Sequence, residues 1–304
     1  MDTAQTQDFK CGYVAILGKP NVGKSTLMNN ILQFKLSIVT PKPQTTRHKI
    51  TGIYNSDDAQ ILFLDTPGLI DPEYRLQEYL VRTADAAAED ADVLVFMVKA
   101  AERLDEVDRQ LIKKLSRMPK PLIVCINKID LVKKSILLPL IDEIRQVDGV
   151  KDIVPISALK QDGIGELLEV IKHYLPEGPP LYPQDQLTTI NERFLVSEII
   201  REKIFMLYGQ EIPYSTTVTI EEFREGGGKK KDYIRAAIVV ERDSQKGILI
   251  GKQGEALKRV GKLAREEIEF LLGRPVFLEL VVIVRPKWRE KDQLLKSLGY
   301  NRNP

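Results

Sequence analysis

The chain has 304 residues and a mass of 34.5 kDa, enough at about 150 residues per domain for two domains with ordinary cores, which excludes a single small module. Hydrophobic residues make up 43%, charged residues 29% and aromatic residues 7%, a composition that excludes disordered and collagen-like chains. Net charge is only +2, yet residues 1–180 carry 23 basic and 25 acidic side chains and the remainder 22 and 18, with a basic surplus in residues 229–262 that would suit a polyanion.

The polar, acidic start MDTAQTQDFK lacks the basic and apolar regions of a secretory signal, so export is not expected. The most apolar runs, residues 93–98 and 276–284, fall far short of the roughly 20 residues of a membrane span. Cys11 and Cys125 are too few for a disulfide framework or a zinc cluster. Both are expected reduced, Cys125 within the core run LIVCI, and the expected compartment is the cytoplasm.

From residue 12 to about 175, short apolar runs (YVAIL, ILFL, VLVFMV, LIVCI, IVPI) alternate with helical stretches such as 105–117 and 165–174. That rhythm predicts an α/β domain whose parallel sheet is covered on both faces. Residues 176–184, PEGPPLYPQ, carry four prolines and read as a linker, giving domains 1–180 and 181–304. A helix over about 189–208 follows, then two alternating strands joined by EGGGKKK as a hairpin, a short helical piece ending in GKQG, a long helix and the strand FLELVVIV. The order is α-β-β-α-α-β, an α+β domain. Residues 288–298 form a short charged helix without an evident role.

Four motifs carry chemistry. The strand YVAIL runs into Gly18, Lys19, Pro20, Asn21, Val22, Gly23, Lys24 and Ser25, followed by Thr26, and this Gly-x4-Gly-Lys-Ser pattern is that of a phosphate-binding loop. Its backbone amides and the helix start would face the β-phosphate, Lys24 would reach the β- and γ-phosphates, and Ser25 would ligate Mg²⁺. Asp65, Thr66, Pro67 and Gly68 end the strand ILFL, where the aspartate would hold Mg²⁺ through water and the glycine amide would meet the γ-phosphate. Asn127, Lys128, Ile129 and Asp130 end another strand; an ionised Asp130 only accepts hydrogen bonds, which suits guanine's N1–H and amino group and would leave a buried carboxylate unpaired against adenine. This favours GTP over ATP and over a P-loop kinase. Ser157 and Ala158, after IVPI, are placed for a backbone N–H to guanine O6.

With these motifs the chain resembles the translation-factor-related P-loop GTPases, and the Era family closely. GKPNVGKS, the PQTTR stretch of residues 43–47, DTPG, NKID and SA resemble that family's five nucleotide motifs in order, and the C-terminal order with GILI before GKQG resembles its type II KH domain. The resemblance covers nearly the whole chain. It implies a Ras-like GTPase domain followed by a KH domain, GTP hydrolysis to GDP and phosphate, binding near the 3′ end of small-subunit ribosomal RNA in assembly of the small subunit, and often loose membrane association. A monomer is expected. The alternatives are a GTPase switch whose basic C-terminal domain binds protein, and an RNA-binding module with an inert nucleotide site.

Residues 34–49 are polar with two prolines, as a mobile loop would be. Thr46 is the expected Mg²⁺-ligating threonine because it precedes Arg47 as in related GTPases, with Thr45 the alternative; Arg47 reads as a charge stabiliser or, preferably, as an exposed surface residue. Leu69 stands where Ras-like enzymes place a water-orienting glutamine, so a backbone group, another side chain or a partner must position the water. Asn21 resembles the asparagine that helps bind K⁺ in some related GTPases, and equally reads as a turn residue. His48 and His173 read as surface or structural. In the C-terminal domain Gly251, Lys252, Gln253, Gly254 and Lys258 are the expected RNA contacts, with Ile250 beside them. Ile248 and Ile250 would line a base-binding groove or, preferably, pack the core, and Lys229, Lys230 and Lys231 would add phosphate contacts.

Overall fold

The structure, a computed structural model, describes residues 9–101, 103–227 and 230–300. Two compact units result: one comprising Met1–Ser37, Thr46–Asp71 and Leu80–Thr189, the other Ile38–Thr45, Pro72–Tyr79 and Ile190–Pro304.

The first unit is built on a six-stranded sheet of order β2-β3-β1-β4-β5-β6. Its strands are β1 (Lys10–Gly18), β2 (Ile50–Asn55), β3 (Ala59–Asp65), β4 (Val93–Lys99), β5 (Leu122–Asn127) and β6 (Val150–Pro155). Its helices are α1 (Lys24–Leu32), α2 (Arg75–Asp90, in this unit from Leu80 onward), α3 (Glu106–Leu115), α4 (Lys134–Arg145) and α5 (Ile164–Tyr174). Strands β3 and β5 are buried along their whole length, which is why they read as unbroken apolar runs rather than alternating ones. Phe96 and Val98 of β4 pack with Ala84 and Ala88 of α2, Ile112 of α3 and Leu140 of α4 in one apolar cluster. Free Cys11 and Cys125 are both buried.

One strand departs from the expected parallel sheet. Residues Ile50–Asn55 form β2, antiparallel to β3 in the register Ile53↔Leu62. Only residues 56–58 join the two strands, and so short a connection closes a hairpin but not a parallel crossover. The proline-rich segment lies against this hairpin. Gln60 Oε1 accepts from the Leu181 and Tyr182 amides at 2.7 and 2.9 Å, and Ile53 N donates to Leu187 O at 2.8 Å.

The second unit contains α6 (Glu192–Leu207), β7 (Thr217–Arg224), β8 (Asp232–Val240), α7 (Asp243–Ile250), α8 (Glu255–Leu272), β9 (Val276–Val284) and α9 (Asp292–Ser297). The order α-β-β-α-α-β is as expected. Strand β8 is central, antiparallel to β7 and parallel to β9, and one face packs Ile234, Ala236 and Ile238 against Val196 and Ile200 of α6 and Val260, Ala264 and Ile268 of α8. Helix α6 also holds the Ile38–Thr45 segment: Arg201 Nη2 donates to Thr45 O, Glu202 Oε1 accepts from Val39 N at 3.1 Å, and Lys42 Nζ donates to the carbonyls of Phe205 and Tyr208. Arg201 is buried and paired with Glu198, and that pairing sustains its charge against burial.

The tail after β9 is part of this unit's interior. Trp288 is fully buried, donates from Nε1 to Ser215 O at 2.9 Å and stacks on Tyr300 with ring centroids 5.9 Å apart. No helix among the described residues is long and apolar enough to cross a membrane.

Candidate nucleotide site and candidate nucleic-acid groove

The motif residues of the first unit converge at the ends of β1, β3, β5 and β6, where an open sheet leaves its crevice. The loop after β1 curls because Gly23 takes φ 110°, a left-handed value that a side chain would resist. A Cβ there would also lie 2.2 Å from Asn127 Nδ2. Gly68 abuts the same loop: its Cβ would sit 2.6 Å from Pro20 N, so a side chain would push the two motifs apart.

Lys24, at the start of α1, is buried and donates from Nζ to the carbonyls of Gly18 and Lys19 at 2.9 and 3.0 Å. Burial depresses its pKa to about 8, with Asp65 opposing. Asp65 ends β3 fully buried, and burial pushes its carboxyl upward while Lys24 and the Ser25 hydroxyl pull it down. Ser25 Oγ donates to Asp65 Oδ2 at 2.8 Å and lies 2.9 Å from Thr46 Oγ1. With its one proton directed to Asp65, Ser25 can take the Thr46 hydroxyl proton.

Asp65 Oδ1 is buried with no hydrogen-bond partner among the described residues. A hard cation suits this cluster of two hydroxyls and a carboxylate with an unsatisfied oxygen. Thr45, the alternative ligand, turns elsewhere, bonding Thr40 Oγ1 at 2.7 Å and donating to Lys42 O at 2.8 Å.

Asn127 joins three of the motif loops. Its Nδ2 donates to Val22 O at 2.7 Å, while Oδ1 accepts from Lys128 N and Ala158 N, both at 2.8 Å. Lys128 Nζ donates to Asn21 O at 2.8 Å, so this motif ties the loop after β1 to the loop after β5. Asp130 Oδ1 accepts from Ser157 Oγ at 2.6 Å. Asp130 is exposed rather than buried, so any desolvation that discriminates bases arises only when a base covers it.

The Ser157 and Ala158 amides already have partners, Asp162 O at 2.9 Å and Asn127 Oδ1 at 2.8 Å, so a base carbonyl would have to share them. Pro67 is buried and Ile129 half-buried, with Ile129 N donating to Ile156 O at 3.2 Å, and Thr66 Oγ1 donates to Ile16 O at 2.8 Å. Thr26 is half-buried on the first turn of α1.

Other residues stand differently from their reading. Arg47 is buried at 2% exposure, not on the surface; it lies between buried Thr46 and a half-buried His48 in a segment packed at both ends. Leu69 is buried in the apolar cluster and its amide donates to Gly18 O at 3.1 Å, so it contributes backbone but no polar side chain. Asn21 is exposed with φ 62°, a conformation asparagine tolerates well, which is the turn-residue reading. His173 is exposed.

Sequence reading also missed an anchor on the loop's far side. Lys19 Nζ pairs with Asp105, the N-cap of α3, and with buried Asp108 at 2.9 Å. Asp105 and Asp108 lie some 90 residues away with no pattern linking them to Lys19.

In the second unit, Lys252–Gly254 forms a 3₁₀ turn between α7 and α8, with Gly251, Gln253 and Gly254 at positive φ and Lys252 and Gln253 exposed. From there a groove of about 470 Å³ runs between α8 and the edge strand β9, lined by Gly254, Leu257, Lys258, Gly261, Leu278 and Leu280 among others. Lys231, Lys262 and Arg265 add charge and no carboxylate lines it. Gly254 and Lys258 are thus brought together, while Gly251, Lys252 and Gln253 stand at the groove's end.

Ile250 packs against the core cluster, whereas Ile248 is 51% exposed. The intervening Leu249 takes the core position on α7, which turns its neighbour outward. Lys229 lies outside the described residues.

Comparison with known proteins agrees with both halves. Residues 13–128 match the model of the 50S ribosome-binding GTPase family, and residues 211–289 that of the KH domain. GTPase Era of Geobacter metallireducens is 47% identical over 294 residues, 96% of this chain and 98% of that protein. GTPase Era of Syntrophus aciditrophicus is 45% identical, covering 96% of each. Among solved structures, a single-residue variant of Aquifex aeolicus Era bound to GDP·AlF₄⁻ superposes with a TM-score of 0.92 at 46% identity, covering 96% of this chain and 99% of that one. Era in complex with MgGDPNP and nucleotides 1506–1542 of 16S ribosomal RNA matches with the same score, identity and coverage. Identity at this level over nearly the whole length places the chain in the Era family of GTP-hydrolysing enzymes, with a Ras-like GTPase domain and a KH domain.

Proposed function

We propose that the chain binds GTP at the β1, β3, β5 and β6 strand ends, hydrolyses it to GDP and phosphate, and couples that cycle to binding of small-subunit ribosomal RNA near its 3′ end during assembly of the small subunit. The observation that carries the reading is the Ser25–Asp65–Thr46 cluster beside buried Lys24. Lys24 now satisfies its ammonium with loop carbonyls, and phosphate oxygens would replace those acceptors. The exposed Asp130 carboxylate would receive the guanine N1–H and amino group. Ser25, Thr46 and Asp65 would hold Mg²⁺, whose chemistry is to neutralise charge developing on the phosphates. Because the Leu69 side chain is buried and apolar, the attacking water must be positioned by backbone, by another side chain or by a partner, and unassisted hydrolysis should be slow.

The RNA half of the reading rests on the cationic α8/β9 groove and on the relative solved with 16S ribosomal RNA nucleotides. We place the protein in the cytoplasm as a monomer, with loose association at the membrane's inner face. The test is titration of a small-subunit ribosomal RNA 3′-end oligonucleotide against the GTP- and GDP-bound protein, beside phosphate-release rates. Binding that differs between the two states, with measurable release, is expected. Release without RNA binding would favour a protein partner for the basic domain, and RNA binding without release an inert nucleotide site.

A further inference from the structure

One row of side chains crosses the whole C-terminal sheet. Arg224 on β7 pairs in register with Tyr233 on β8, and Tyr233 with Phe277 on β9. The Arg224 guanidinium carbon lies 4.7 Å from the Tyr233 ring centroid, and the Tyr233 and Phe277 rings stack with centroids 6.0 Å apart and planes 12° from parallel. The Tyr233 hydroxyl donates to Glu279 Oε2 at 2.5 Å, so the middle ring is held by a cation on one side and a carboxylate at its tip.

The row ends on β9, an edge strand, and there Phe277 remains 57% exposed. An aromatic ring this exposed, backed by a second ring and a guanidinium, is a rigid platform with a free side. It does not belong to the packed core: Phe277 is absent from the apolar cluster that β9 shares with α6 and α8.

The platform's surroundings choose its ligand. Phe277 lines the same groove as Lys231, Lys258, Lys262 and Arg265, in which no carboxylate appears. Four cations along a groove suit a sequence of phosphates, and an exposed aromatic ring on the edge strand that borders it suits a base, the combination by which single strands are held. An acidic peptide would satisfy the cations but would leave the ring without a planar partner.

We propose that Phe277 is a nucleobase-stacking residue, receiving one unpaired base of the single-stranded RNA whose phosphates follow the α8/β9 groove. This rests on the RNA-binding reading of that groove and adds a base contact outside the Lys252–Gly254 turn. Because every base has a π-face, the contact raises affinity with little sequence preference.

The test uses the full chain and a single-stranded oligoribonucleotide of the small-subunit ribosomal RNA 3′ end, with 2-aminopurine substituted at successive positions. Phe277→Leu, which keeps an apolar side chain at an exposed site, should weaken binding about tenfold and leave the salt dependence unchanged. Phe277→Trp should restore it. One 2-aminopurine position should be quenched on binding to the wild type and not to Phe277→Leu, a signature that altered folding alone would not confine to a single position.

Paired variants Lys258→Glu and Lys262→Glu separate the layers of the argument. If they weaken binding while Phe277→Leu does not and no position loses its quenching, the stacking role is overturned and the groove stands. If they leave binding unchanged, the groove reading falls and the stacking role with it.

Discussion

On the proposed function, the two units would face polyanions by opposite means. In the first, Lys24, Thr46, Asp65 and Asn127 are all buried, each tied to named backbone or side-chain partners, and much of the site is main chain. In the second, Lys252, Gln253 and Lys258 are exposed, and charge is spread along an open groove. A small ligand that must be oriented for reaction is met by groups desolvated and fixed beforehand. A polymer is met by many weak contacts, each dispensable. Single changes should therefore be severe in the first unit and graded in the second.

The largest effect is expected at base recognition. Asp130→Asn replaces the acceptor for guanine's N1–H and amino group by an amide suited to xanthine, so preference should swing from GTP toward XTP by on the order of 100-fold or more. Nucleotide competition measures it. An unchanged GTP preference would detach Asp130 from the base.

Next is pH. Burial holds the Lys24 pKa near 8 rather than its ordinary 10.5, so between those values the ligand-free native state binds fewer protons at this site than the unfolded chain. That group's contribution therefore makes the ligand-free protein more stable as pH rises from about 8. Phosphate binding needs the ammonium, so nucleotide affinity should fall over the same window, approaching about tenfold per pH unit. The rise in Tm given by GDP should shrink between about pH 7.5 and 9.5. A constant rise would mean that Lys24 keeps its proton throughout.

A comparable but purely local effect is expected in the second unit. Lys252→Asp with Gln253→Asp should weaken RNA binding roughly tenfold at moderate salt while unassisted GTP hydrolysis stays near wild type. Both glycines remain, so the turn is kept. Undiminished RNA affinity would reduce GKQG to a helix connection and leave the groove to α8 and β9 alone. The smallest effect is a modest rise in hydrolysis in K⁺ over Na⁺ through Asn21, since a cation beside the transferring phosphoryl stabilises developing charge. Its left-handed backbone already accounts for an asparagine there, and equal rates in the two salts would leave only that account.

How far each region was legible in sequence follows the same division. Phosphate and base chemistry demands particular residue types at fixed spacing, so Gly18 to Ser25, Asp65 to Gly68 and Asn127 to Asp130 could be found without a fold. The α-β-β-α-α-β order was readable because each amphipathic element shows its own period. What could not be read depends on distant partners. Strand β2 has Ile50 and Ile53 among its few buried side chains and is recruited by its hairpin with β3. The burial of Arg47 and Arg201 is decided by tertiary surroundings, since charged residues are exposed by default. Arg224, Tyr233 and Phe277 become one row only when the register of three strands is known.

The division of the chain also bears on how it is made. Segments Ile38–Thr45 and Pro72–Tyr79 belong to the second unit although they precede it in sequence, and Thr45 is translated 156 residues before the arginine that binds its carbonyl. At about 5–20 residues per second that is an interval of roughly 8–30 s. A nascent first unit can close its sheet in that time, but these two segments must wait for α6 and the tail to leave the ribosome. Vectorial synthesis thus completes the second unit last, and a fragment beginning at residue 190 would lack two pieces of its own structure.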